Sequence, residues 1–229
     1  MTSLWRETFV SLNVRNFRLY FIGQSISLCG TWMQTMGQSW LVLQLTNSGV
    51  QLGFVTAAQF LPVLILAPWG GAIADRFPKR KVLYLTQALA GMLALALGLL
   101  VGAGAVRLWM VYVLASLLGL VYAADHPTRQ SFIVEMVGPN QLTNAVSLNS
   151  AQVNLARVAG PAIGGLLIAT VGLTPLFLGN AVSFMAVLAA LSMMRANELQ
   201  PVEAPLMGMG SFSKAFATSN PIPSCATLC

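Results

Sequence analysis

Six stretches of the chain, at about 19–44, 50–74, 82–104, 108–124, 146–171 and 173–194, run with scarcely a charge between flanks that hold most of the charged residues. A hydrocarbon core roughly 30 Å thick takes about 20 apolar residues to cross as a helix. Only a helix satisfies each backbone polar group within its own segment there. Charged residues make up 8% of the 229 positions, against roughly 25% in a soluble domain. These features predict an all-α membrane protein with the lipid bilayer as its immediate partner. The first and fifth stretches carry polar side chains at intervals and are the weakest of the six.

The net charge of +6 could suggest nucleic acid, but the basic residues fall at helix ends rather than along one soluble surface, so no nucleic-acid partner is expected. Arg6, Arg15 and Arg18 precede the first stretch. Arg76, Lys79, Arg80 and Lys81 join the second to the third, Arg129 joins the fourth to the fifth, and Arg195 and Lys214 follow the sixth. The alternate connections hold Arg107 alone, so the positive-inside rule places both termini in the cytoplasm. The expected layout is an amphipathic surface helix and entry segment over 1–18, a bundle over 19–195 and a disordered cytoplasmic tail over 196–229. Cys29 lies in a helix and Cys225 and Cys229 in the tail, so no disulfide framework is implied.

Between the second and third stretches, "GGAIADRFPKRKVL" sets Asp75-Arg76 four and five residues after Gly71, and Lys79-Arg80 eight and nine after it. This order resembles the motif G-x-x-x-D-R-x-G-[RK]-[RK] that joins helices two and three in the major facilitator superfamily, with Pro78 in place of a glycine. The resemblance implies a charge cluster that stabilises one of two access states and is remade during transport. It gives that switch role to Gly71, Asp75, Arg76, Lys79 and Arg80, and by extension to Asp125 and Arg129 in "AADHPTRQ", where helix four is expected to end. Gly71 is expected to allow close helix approach, and Asp125 is the expected partner of the basic residues. His126 reads as a structural cap at that helix end.

In the fifth stretch, "ARVAGPAIGG" carries Gly160-Pro161-x-x-Gly164-Gly165, similar to the core of an exporter signature, although Ala156 stands where a glycine is expected. As plain chemistry, Pro161 removes a backbone hydrogen bond, and Gly160, Gly164 and Gly165 admit a neighbouring helix. Residues 13–195 as a whole resemble the enterobactin-exporter-like branch of the superfamily, the transmembrane secretion effectors. That likeness implies six transmembrane helices forming one half of a major facilitator fold, built as two inverted three-helix repeats. It also implies the bacterial cytoplasmic (inner) membrane, and efflux of a small-molecule substrate such as a siderophore or drug.

Two polar faces are candidates for a transport path. Gln24, Ser27, Thr31, Gln34, Thr35 and Gln38 fall within an arc of about 100° on helix one. Ser147, Ser150, Asn154 and Arg157 share a face of helix five. A charge inside a span costs about 2.5 to 3.5 kcal/mol on insertion scales, so Arg157 is expected to face the cavity and attract anionic groups. The alternatives are interhelical hydrogen bonding for the first face and snorkelling for Arg157.

No Asp or Glu lies within the six stretches, and no catalytic or metal-binding constellation stands out, so neither an enzyme nor a cofactor is implied. The expected function is transport by alternating access, carried by the N-terminal half of a longer exporter in truncated form. A half-transporter working as a homodimer, or paired with a second six-helix half, is one alternative. A membrane scaffold or assembly partner without transport is another.

Overall fold

The computed structural model describes residues 9–199, and the long elements among them are helices. They are α1 (Arg15–Thr46), α2 (Gly49–Arg76), α3 (Lys79–Gly102), α4 (Leu108–Val137), α5 (Leu142–Thr170) and α6 (Leu173–Met193). Short 3-10 turns occupy Val10–Asn13, Pro139–Gln141 and Ala196–Glu198. The surface helix expected ahead of α1 is therefore only a 3-10 turn over its described part, and α1 itself begins at Arg15. The expected tail lies outside the described residues beyond 199.

The largest boundary correction is in α4, which does not end at "AADHPTRQ" but continues through Pro127 to Val137. Arg129 is thus a helical residue rather than part of a loop, and Asp125 and Glu135 lie within the helix. The polar run misled because a long helix can carry its last turns beyond an apolar window. Glycine ends it: Gly138 takes φ 69°, a left-handed value that suits a residue without Cβ.

Five of the six helices, α2 to α6, are long and apolar enough to cross a membrane. The polar stripe that marked α1 as a path also lowers its apolarity, which is why it falls outside that set.

Helix α1 packs on α5 and α6, α4 packs on α2 and α3, and α3 packs on α6. Exchanging α1, α2 and α3 for α4, α5 and α6 returns the same set of contacts. At one end, Phe17, Tyr20, Leu83, Phe132, Met136 and Leu191 form a buried apolar cluster. At the other, Leu41, Val42, Val55, Leu97, Val111 and Leu176 form a second. The outward faces are apolar as well: on α2, Leu64 and Trp69 are 76% and 61% exposed, as a lipid-facing helix requires.

The helix crossings are set by glycines. A Cβ on Gly23 would lie 2.8 Å from the Ala186 carbonyl oxygen, and one on Gly37 2.8 Å from Leu176 Cδ2; with Gly30 facing Asn180 and Ser183, they let α1 sit against α6. Gly160 and Gly164 do the same for α5 against α1, where Gly160 abuts Trp32 and Cys29. Gly165 makes only an ordinary contact, 3.9 Å from Met36 Cε. α5 remains one helix through Pro161.

Candidate functional site

At the end where α2 turns into α3, the connection is only Phe77 and Pro78. Proline at that point brings the basic residues straight onto the first turn of α3. Lys79 Nζ donates to Glu135 Oε1 of α4 at 2.6 Å. Arg80 Nε donates to the Leu191 carbonyl at 2.8 Å, and its Nη2 to that of Ser192 at 3.2 Å, near the C-terminus of α6. Those carbonyls lack helical partners, and a guanidinium satisfies them while opposing the negative end of the helix dipole.

The acid held by the basic connection is therefore Glu135, not Asp125 as expected. Glu135 is one of only six acidic residues in the chain, and that scarcity was the signal that could have singled it out. Asp75 and Arg76 are exposed and have no hydrogen-bond or ion-pair partner among the described residues. Gly71 does not mediate close approach either, since a Cβ there meets nothing within 4 Å; its neighbour Gly70 lies against the Ala123 carbonyl instead. Glu135→Gln is expected to lower stability by about 1 kcal/mol, as for a partly exposed charged hydrogen bond. The swap Lys79→Glu with Glu135→Lys should return most of it, read as thermal midpoints by gel filtration.

Asp125 is wholly buried and its carboxylate is fully subscribed. Thr86 Oγ1 and Gln87 Nε2 of α3 each donate to Oδ1 at 2.7 Å. Arg129, one turn along α4, donates to Oδ2 through Nε at 3.1 Å and also through Nη2. A charge so deep is tolerated because it is paired and hydrogen-bonded at once. His126, expected to cap a helix end, is in mid-helix with its ring 5.3 Å from that of Tyr122.

Beside this network a cavity of about 440 Å³ opens, bounded by α1, α2, α4 and α5 with Phe184 of α6 at one point. Gln24, Thr31 and Gln38 of the predicted stripe line it, and so does Arg157. Gln34 does not: its Oε1 accepts from Asn180 Nδ2 of α6 at 2.6 Å, which is the helix-gluing alternative. Asn154 is also outside the lining, and its Nδ2 donates to the Ser150 carbonyl of its own helix at 3.0 Å. On α5 the lining side chains are Asn149, Val153 and Arg157, spaced four apart, so Arg157 lines the cavity as expected while Asn149 and Val153 stand in place of their neighbours Ser150 and Asn154. Arg157 has its guanidinium carbon 5.1 Å from the centre of the Trp32 ring, a partner that a count of polar residues overlooks.

The family model for transmembrane secretion effectors matches residues 6–214. The staphyloferrin A transporter of Staphylococcus aureus is 33% identical over 175 residues, 75% of this chain and 44% of that protein. The multidrug efflux pump Tap of Mycobacterium tuberculosis is 33% identical over 152 residues, 64% of this chain and 36% of the pump. The class B tetracycline resistance protein of Escherichia coli is 31% identical over 139 residues, 59% of this chain and 33% of that protein. The chain thus spans less than half the length of these relatives. With the whole helical bundle inside the matched region, the chain belongs to the transmembrane secretion effector family of major facilitator superfamily transporters.

Proposed function

We propose that the chain forms one six-helix half of an alternating-access exporter in the bacterial cytoplasmic membrane. In this reading all six helices cross the bilayer, α1 included, and the end bearing Lys79, Arg80 and Arg195 faces the cytoplasm. The observation that carries the proposal is the cavity beside α1, with Gln24, Thr31, Gln38 and Asn149 in its wall, in a bundle whose outer surface is apolar. The contact pattern, unchanged when the first three helices are exchanged for the last three, supports two repeats of inverted topology. The likeness to siderophore and drug transporters supports a small amphipathic substrate moving outward.

The switch role is divided in this reading. Lys79 with Glu135, and Arg80 with the end of α6, tie the cytoplasmic end of this half together. Asp75 and Arg76, exposed and unengaged among the described residues, are the groups available to a second unit. Asp125 and Arg129 form the buried hub between α3 and α4, within reach of the cavity through Arg129.

The test is transport into everted vesicles by this chain co-expressed with the remaining helices of its staphylococcal relative. The double substitution Gln24→Leu with Gln38→Leu strips two amides from the cavity wall. It is expected to slow uptake by about tenfold or more, the size of one or two lost hydrogen bonds. Uptake equal to wild type at matched protein levels would sink the assignment of this cavity as the path.

A further inference from the structure

The cavity continues into a second hollow of about 460 Å³ that runs along α1 past Met36 and Trp40 to Leu43. Both hollows are bordered by Trp32 and Arg157. The first has amides and hydroxyls among its apolar wall residues and the second is almost wholly aromatic and apolar, so this pair stands where an amphipathic molecule would change character.

The charges lining the two hollows are of one sign. Arg157 and Arg129 are present and no Asp or Glu is, among the described residues. Arg129 is committed to Asp125, whereas Arg157 has no acidic or hydrogen-bonding partner among the described residues and rests on the Trp32 face. Indole holds a guanidinium in place without neutralising it, and leaves its edge donors for a ligand. Arg157 is an exposed residue, so its guanidinium is accessible to an anion that no carboxylate in the lining opposes.

We infer that Arg157 and Trp32 form a binding site for the anionic head of an amphipathic ligand. A carboxylate or phosphate takes the guanidinium fork, and the apolar body lies along Trp32, Met36 and Trp40. A protonated amine in the same place meets an unscreened positive charge and is rejected. The physiological meaning of the site rests on the transport reading, but its ligand chemistry does not. Two sources offer this chemistry, a soluble organic anion and an anionic lipid headgroup.

The experiment is equilibrium dialysis of the full chain in phosphatidylcholine nanodiscs against three probes of one shape. These are naphthalene-2-carboxylate, its carboxamide and 2-naphthylmethylammonium. The carboxylate is expected to bind at least about tenfold tighter than either of the others. Arg157→Gln should erase that preference and Arg157→Lys should keep its sign, while Trp32→Leu should weaken all three probes together. Equal affinities in the wild type, or a preference that survives Arg157→Gln, overturns the inference. Circular dichroism and gel filtration check that each variant is folded, and the lysine variant carries the test if the glutamine variant is not. Replacing part of the lipid with phosphatidylglycerol separates the sources: lost carboxylate binding assigns the site to a headgroup, and undiminished binding assigns it to a soluble anion. Because no transport is measured, a chain that binds the carboxylate yet moves nothing would fail the transport reading alone.

Discussion

Arg129→Met is expected to destabilise the bundle by about 3–5 kcal/mol, the cost of leaving a buried charge without its partner. Asp125, 0% exposed, would keep its hydrogen bonds from Thr86 and Gln87 but lose both donors on its other oxygen. Pairing that change with Asp125→Asn should recover most of the loss, because the pair costs desolvation as well as supplying attraction. The measurement is the thermal midpoint in detergent by gel filtration, for both single variants and the double. Asp75→Asn, at an exposed position without a partner, should stay within about 0.5 kcal/mol of wild type. Equal stability of Arg129→Met and wild type would show that this intrahelical ion pair does not support the Asp125 network that joins α4 to α3.

The second large effect concerns Gly70 and Gly119, with Gly71 as the contrast. A Cβ on Gly70 collides with the Ala123 carbonyl, and one on Gly119 collides with that of Gln59, so α2 and α4 meet backbone to backbone at two levels. A backbone group cannot turn aside as a side chain does. Gly70→Ala or Gly119→Ala should therefore cost at least about 1–3 kcal/mol, the range for overpacking. Gly71→Ala has open space at its Cβ and should be neutral or gain up to about 1 kcal/mol from helix propensity. Folded yield and thermal midpoint for the three variants decide the matter. Gly71→Ala falling as far as Gly70→Ala would mean that the crossing is misplaced.

Helix number and order were legible because apolar length is a coarse signal that survives errors of several residues. Phase was less so. Counting Ser147, Ser150 and Asn154 as one face was reasonable on a wheel, yet neighbouring positions differ by only about 100°. Packing of α5 on α1 turned Asn149 and Val153 inward instead. Side chains that partner across helices were hidden for another reason. Gln34 and Gln38 look alike on α1, and only the position of Asn180 on α6 decides that one is glue and the other wall. Arg157 could be read as cavity-facing from its cost, but its resting place on Trp32 needed the coordinates of two helices. Asp125 and Arg129 stood out in the sequence by their charge, while their location did not, since polar residues in mid-helix mimic a loop.

Asn16, wholly buried, donates through Nδ2 to the Arg195 carbonyl at 3.0 Å and accepts from the Arg195 N–H at 3.1 Å. A two-way amide clasp thus fastens the start of the first helix to the chain just after the last. The path of the backbone through six helices is thereby returned to its point of departure. One side chain thus holds the two ends of the six-helix path side by side.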